Sequence, residues 1–264
     1  MIIGVYDSGL GGLSVWRELR QLDVEIVYFG DTAHVPYGEK TPAQLQGFFW
    51  EILRFLQGKG CEAVVMACNT ASAIVLPAVK SGAPIPLFGI IEAGVQGCLK
   101  VGKGRLGLLA TRATVESGVY QRAFGKERPQ WLVFGQSAPQ LASLVEQGKA
   151  TEQATKALVA EYLAPLLAQD VDTLLLGCTH YPFLRPLIEE IVGPEVQIVD
   201  PAPILVQHIS DWLVRADLGR NNSGSSTEFW VSAHPDRFRA VAHSLLQEEI
   251  PSVGLHQLSG EKLS

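Results

Sequence analysis

No run of five lysines or arginines occurs in the 264 residues, and the charge balance is acidic: 21 Lys and Arg against 27 Asp and Glu, a net charge of −6. A protein that grips a phosphate backbone needs a basic patch or stripe, so nucleic acid is excluded as an expected partner. Long apolar runs are missing as well. The longest candidate, Ala63 to Val79, is interrupted by Asn69, Thr70, Ser72 and Pro77, and it falls short of the roughly 18 uninterrupted apolar residues of a membrane helix. The opening Met1-Ile2-Ile3-Gly4-Val5-Tyr6-Asp7 has no basic region before an apolar stretch. No secretion signal is read there, and the cytoplasm is the expected compartment. Cysteine is scarce, limited to Cys61, Cys68, Cys98 and Cys178 with no CxxC pair. A disulfide scaffold and a zinc ribbon are thereby excluded, and any special cysteine is a reactive thiol. Apart from His180, the histidines (His34, His208, His234, His243 and His256) form no spaced set with carboxylates or cysteines, so no metal is expected.

The sequence does hold a 47% hydrophobic share and 26 glycines, enough apolar material for a sizeable core and many tight turns. Short apolar runs at Ile2–Tyr6, Glu25–Phe29, Ala63–Ala67 and Leu87–Ile91 read as buried strands. Amphipathic patterns at Leu13–Gln21, Thr41–Gly58 and Ala71–Lys80 read as the helices between them. This alternation predicts a parallel sheet covered on both faces. It then starts again, with strands expected at Arg105–Ala110, Trp131–Phe134, Thr173–Gly177 and Val196–Val199. Helices are expected near Val115–Phe124, Ala138–Gln147, Glu152–Ala168 and Phe183–Ile191. A polar, low-complexity stretch from Gly219 to Thr227 reads as a mobile surface loop, followed by one more strand (Glu228–Ser232) and helix (Asp236–Gln247).

The two halves correspond in detail. Ala63-Val64-Val65-Met66-Ala67-Cys68-Asn69-Thr70 has its counterpart in Thr173-Leu174-Leu175-Leu176-Gly177-Cys178-Thr179-His180: an apolar strand, a Cys, then small polar residues opening a helix. We read an internal duplication. Sites in α/β sheets form beyond the carboxyl ends of the strands. Those ends hold Asp7, Ser8, Cys68, Asn69, Thr70, Thr111, Cys178, Thr179 and His180. A helix N-terminus there lowers a thiol's pKa, and the mirrored placement of Cys68 and Cys178 favours chemistry over core packing. Cys61 and Cys98 lack that setting and read as structural. His180, two residues past Cys178, can set the protonation of a nearby thiol. Asp7 reads equally as a helix cap or a catalytic group. The Gly9-Leu10-Gly11-Gly12 run after it fits a phosphate cradle or a tight turn, and matches neither the dinucleotide fingerprint nor the P-loop. Pro36-Tyr37-Gly38 reads as a plain turn, and Glu146 as a solvated helix position. No lysine is seen in place for a pyridoxal Schiff base.

Taken together, Asp7-Ser8-Gly9-Leu10-Gly11-Gly12, Pro36-Tyr37-Gly38, Ala67-Cys68-Asn69-Thr70-Ala71-Ser72 and Gly177-Cys178-Thr179-His180-Tyr181-Pro182 resemble the glutamate racemases of the aspartate/glutamate racemase superfamily. The resemblance covers nearly the whole chain in the right order. It implies two α/β lobes facing each other across a cleft, the first formed by residues 1–97 plus 208–264 and the second by 98–207. It implies Cys68 and Cys178 as an acid/base pair flanking one amino acid, with Asp7, His180 and Glu146 beside them. Substrate contacts carry over to Asp7, Ser8, Tyr37, Gly38, Asn69, Thr70, Thr179 and His180, and Thr111 and Thr114 are further candidates. No cofactor, a homodimer and a role in supplying D-glutamate for peptidoglycan are implied as well. Ala93 and Ser137 depart from the family pattern, where Pro and Cys-Pro are common, and they bear on helix starts. An aspartate racemase of the same superfamily shares both thiols and stays open as an alternative. A non-catalytic amino-acid-binding module has no need of a second, mirrored Cys, and a one-Cys decarboxylase relative is excluded by the presence of both.

Overall fold

Strands β1 (Ile2–Asp7), β2 (Glu25–Gly30), β3 (Ala63–Met66) and β4 (Leu87–Gly89) are short, mostly buried runs rich in β-branched and aromatic residues. That composition suits strands covered on both faces. They are followed by β5 (Arg105–Ala110), β6 (Leu132–Ser137), β7 (Thr173–Gly177), β8 (Gln197–Val199), β9 (Thr227–Val231) and β10 (Val253–Leu255). The computed structural model describes residues 1–217 and 226–259. Within them the strands form a six-stranded sheet, β10-β9-β2-β1-β3-β4, and a four-stranded sheet, β6-β5-β7-β8. Every pairing is parallel.

Without β9 and β10, the first sheet reads β2-β1-β3-β4 and the second β6-β5-β7-β8, the same order from the same succession of strands. The repeated strand-then-Cys pattern is therefore matched by a repeated topology. The C-terminal strands extend the first sheet along β2, where Ile26 pairs with Thr227. Two long helices make the crossings between the sheets: Ile90–Val101 runs from β4 to β5, and Ala202–Arg215 from β8 to β9. They pack on each other, and the expected boundaries at 97/98 and 207/208 fall inside them. One apolar cluster runs from Ile3 and Val5 through Ile91 and Val95 to Leu106, Leu175 and Leu205, so the two sheets share a core.

Several element limits differ from expectation for identifiable reasons. The strand expected to reach Ile91 stops at Gly89, and Ile90 opens a helix. The helix expected over Ala71–Lys80 is two pieces, Asn69–Ile74 and Leu76–Val79, because Pro77 supplies no N–H to continue the ladder. Gly118, at φ +62°, likewise divides Arg112–Glu116 from Val119–Glu127. The loop expected over 219–227 lies largely outside the described residues. Thr227, however, begins β9, and its Oγ1 accepts a hydrogen bond from Trp16 Nε1 at 3.0 Å.

Candidate active site

Parallel pairing places the ends of the central strands side by side. Tyr6 is level with Met66 in the first sheet and Ala110 with Gly177 in the second. The residues that follow therefore emerge together: Ser8 beside Cys68, and Thr111 beside Cys178. They open onto one cleft of about 940 Å³. Ser8, Tyr37, Gly38, Cys68, Asn69 and Thr70 line it from the first half of the chain; Thr111, Glu146, Cys178, Thr179 and His180 line it from the second. Cys61 and Cys98 are buried away from it, in the apolar clusters.

Each thiol has a polar neighbour. Cys68 Sγ donates to Ser8 Oγ at 3.7 Å, and Cys178 Sγ lies 3.5 Å from His180 Nδ1. His180 continues outward, its Nε2 2.7 Å from Glu146 Oε1, an oxygen that also accepts from the Leu10 N–H at 2.7 Å. A nucleophile or base whose imidazole partner is oriented by a carboxylate is a recurrent catalytic arrangement. Glu146 is thus not the solvated residue its helix pattern indicates: it ends the helix Pro139–Glu146 with its side chain only 15% exposed. The glycine run explains how it fits. A Cβ on Gly9 would lie 2.3 Å from Glu146 Oε1, and one on Gly11 would lie 2.4 Å from Thr179 Oγ1 and 2.6 Å from His180 Nδ1. These glycines admit side chains of the other half rather than wrap a phosphate.

Asp7 and Thr114 do not line the cleft. Asp7 is fully buried, its Oδ1 accepting from Gly9 N at 3.0 Å and its Oδ2 from Thr179 Oγ1 at 3.1 Å. Thr114 stands in a hydroxyl cluster with Thr111 and Thr70 that ties the halves together at 2.9–3.4 Å. The turn at Tyr37–Glu39 is anchored by the Tyr37 hydroxyl, which donates to buried Asp31 Oδ2 at 2.7 Å. Asn69 Oδ1 accepts from the Tyr120 hydroxyl at 2.7 Å, while its Nδ2 has no partner among the described residues. A buried donor left unpaired costs about 1–3 kcal/mol, a cost that a ligand oxygen would remove. Lys40 also lines the cleft, which the sequence reading did not foresee.

The comparisons with known proteins meet this geometry. Residues 15–209 match the family model described as Asp/Glu/Hydantoin racemase. The chain belongs to the Asp/Glu/Hydantoin racemase family. Over 257 residues it is 42% identical to a glutamate racemase of Desulforudis audaxviator, with 94% of each chain covered. It resembles the crystal structure of a glutamate racemase isoform from Bacillus anthracis with a TM-score of 0.92 at 34% identity, over 97% of each chain. A glutamate racemase from Francisella tularensis, solved in complex with D-glutamate, superposes with a TM-score of 0.89 at 32% identity, over 98% of each chain.

The electrostatics of this family member are set by burial. Asp7 is pushed up to about 6 by desolvation, which the charge of His180 and the N–H groups of Gly9 and Gly12 offset only in part. Burial, reinforced by the Asp7 charge, pushes the Cys68 thiol up to about 12 against the opposing Ala71 N–H and Ser8 contacts. The helix N-terminus was expected to lower it, but Asn69–Ile74 has only 6 residues and burial prevails. Beyond Cys178 the chain forms no α-helix directly; the 3-10 turn Tyr181–Leu184 intervenes. For His180, burial favours the neutral ring, but contacts with Cys178 and Glu146 outweigh it and hold its pKa well above the ordinary value. The imidazolium is therefore the form expected beside Cys178 near neutral pH.

The close approach at Gly11 gives a direct check. Gly11→Ala is expected to lower turnover about 100-fold by displacing His180 and Thr179. Gly47→Ala, where a Cβ meets nothing within 4 Å in the helix Pro42–Gly58, is expected to keep full turnover and raise stability by up to about 1 kcal/mol. Initial rates and thermal unfolding of both variants decide it; an unimpaired Gly11→Ala enzyme would show that His180 does not need its observed position.

Proposed function

We propose that the chain interconverts L- and D-glutamate without a cofactor, using Cys68 and Cys178 as the two acid/base groups. One observation carries this reading: thiols at equivalent strand ends of the two halves line a single cleft. Racemisation requires removal of the α proton from one face of the substrate and delivery of a proton to the other. A thiolate takes the proton as the Cα–H bond breaks, and the electron pair moves into the α-carboxylate. The opposite thiol then gives its proton to Cα, so the two cysteines end with their protonation states exchanged. A free thiol is only about 3% ionised at pH 7, so the site must supply the thiolate. His180, held between Cys178 and Glu146, is the group placed to take up or return that proton. Ser8, Asn69 and Thr70 supply donors for the charge that grows on the carboxylate, with Thr179, whose hydroxyl is bonded to Asp7, beside them. The same reading includes supply of D-glutamate for peptidoglycan, a homodimer and a cytoplasmic location.

Polarimetry of pure D-glutamate, and separately of D-aspartate, tests it on protein treated with a chelator and freed of pyridoxal compounds. The D-glutamate signal is expected to decay to zero while D-aspartate holds its rotation. Decay with aspartate alone would assign an aspartate racemase. Binding without decay would indicate an amino-acid-binding module. Activity restored only by a metal or by pyridoxal phosphate, for which Lys40 would be the lysine to examine, would overturn the two-thiol mechanism.

A further inference from the structure

The Asn69 carboxamide presents two ends of nearly equal shape and opposite hydrogen-bonding sense. Which end faces a substrate carboxylate decides whether the contact attracts or repels. Asn69 is 2% exposed and lines the cleft at the start of the helix Asn69–Ile74, in the first half of the chain. The residue that meets it comes from the second half: Tyr120, in the helix Val119–Glu127, is completely buried and donates its hydroxyl to Asn69 Oδ1 at 2.7 Å. We propose that Tyr120 is a positioning residue that locks the Asn69 carboxamide with its amino group free for a substrate carboxylate. The assignment rests on the amino-acid racemase reading of the cleft.

The lock follows from counting donors and acceptors. The Tyr120 hydroxyl makes no other hydrogen bond among the described residues. Reversing the amide would set Nδ2 against the hydroxyl oxygen, strand the hydroxyl hydrogen without an acceptor, and leave Oδ1 as the end facing the ligand. In the observed orientation only Nδ2 is unpartnered, and a carboxylate oxygen satisfies it. Gly94, on the helix Ile90–Val101, makes room on the other side of the tyrosine. A Cβ there would lie 3.0 Å from the hydroxyl oxygen and 3.1 Å from the ring. The hydroxyl is therefore confined between Gly94 and Asn69, and a phenylalanine ring fits the same space without it.

The test combines a double-mutant cycle with a spectroscopic readout. Tyr120→Phe is expected to lower kcat/KM for glutamate about tenfold or more, and Gly94→Ala, which crowds the hydroxyl from behind, is expected to act in the same direction. In an Asn69→Ala background Tyr120→Phe should cause no further loss, because its effect passes through Asn69. The Asn69 side-chain amide resonances, assigned by their disappearance in Asn69→Ala, should shift or broaden in Tyr120→Phe without any substrate present. Wild-type kinetics for Tyr120→Phe, an equal loss in the Asn69→Ala background, or unmoved amide resonances would each overturn the assignment. Should the wild-type protein fail to turn over glutamate, the substrate reading falls, and the resonances still decide whether Tyr120 holds Asn69.

Discussion

Replacing either Cys68 or Cys178 with alanine is expected to lower racemisation by about 10³-fold or more. In the proposed mechanism each thiol serves as base in one direction and acid in the other, and a single positioned acid/base group contributes roughly 10²–10⁴-fold. The two enantiomers have equal free energies in water, so the equilibrium constant is unity. The two directions must then have equal kcat/KM in every variant, and steady-state rates cannot reveal which thiol faces which enantiomer. Solvent deuterium exchange at Cα can. With Cys68 proposed as the base for D-glutamate and Cys178 as the base for L-glutamate, Cys68→Ala should retain slow exchange into L-glutamate through Cys178. Cys178→Ala should retain slow exchange into D-glutamate through Cys68. Both remaining thiols stay near the α hydrogen because each is fixed at the end of a central strand rather than on a loop. Cys61→Ala and Cys98→Ala, both remote from the cleft, should keep turnover. Equal exchange into both enantiomers by one single mutant would mean that one residue serves both faces, contrary to the two-base assignment.

The parts of this site that were legible in the sequence are those delivered by strand ends. A buried parallel strand is a continuous apolar run, so the residue after it can be read directly. Ser8, Cys68, Asn69, Thr70, Thr111, Cys178 and Thr179 were all found by that rule, and all line the cleft. Glu146 obeyed no such rule. Its neighbours Leu141 and Val145 mark the buried face of its helix, but what covers Glu146 is the glycine turn after β1, more than a hundred residues away in sequence. The reciprocal signal was present in Gly9 and Gly11, whose missing side chains make room for it and for His180. A glycine records that something approaches closely without recording what. Tyr120 left no mark for the same reason: periodicity places a tyrosine inside but does not say where its hydroxyl finds a partner. The strand order was legible only as a repeat. Two similar halves predict two similar sheets, whereas the attachment of β9 and β10 beside β2 depends on pairing across about 200 residues, which no local pattern encodes.

Asp7→Asn is expected to make the protein more stable at neutral pH while lowering its turnover. Asp7 is fully buried and its pKa is raised to about 6, against about 3.9 in an unfolded chain. Because the folded value is the higher one, the fold favours the neutral acid. Below about pH 4 both states are protonated and the group costs nothing extra. As pH rises from about 4 to about 6 the unfolded state ionises first, and stability falls by up to about 3 kcal/mol, remaining lower above that range. Asparagine carries no charge at any pH and escapes this loss. Its amino group must donate to Thr179 Oγ1, which now donates to Asp7 Oδ2, and this exchange of roles costs about 1 kcal/mol. The expected net gain is therefore about 2 kcal/mol at pH 7–8, shrinking below pH 6, gone at about pH 4.6 and reversed by about 0.5 kcal/mol at pH 4. In the wild type the Thr179 hydroxyl hydrogen is held by Asp7; asparagine releases it, and because Thr179 lines the cleft the hydrogen-bonding pattern that the substrate meets there changes, so kcat should fall as stability rises. Urea unfolding of both proteins across pH 4 to 8 measures the first effect, and initial rates at pH 8 the second. A stability difference that stays constant over that range would show that the fold does not raise the Asp7 pKa above its unfolded value.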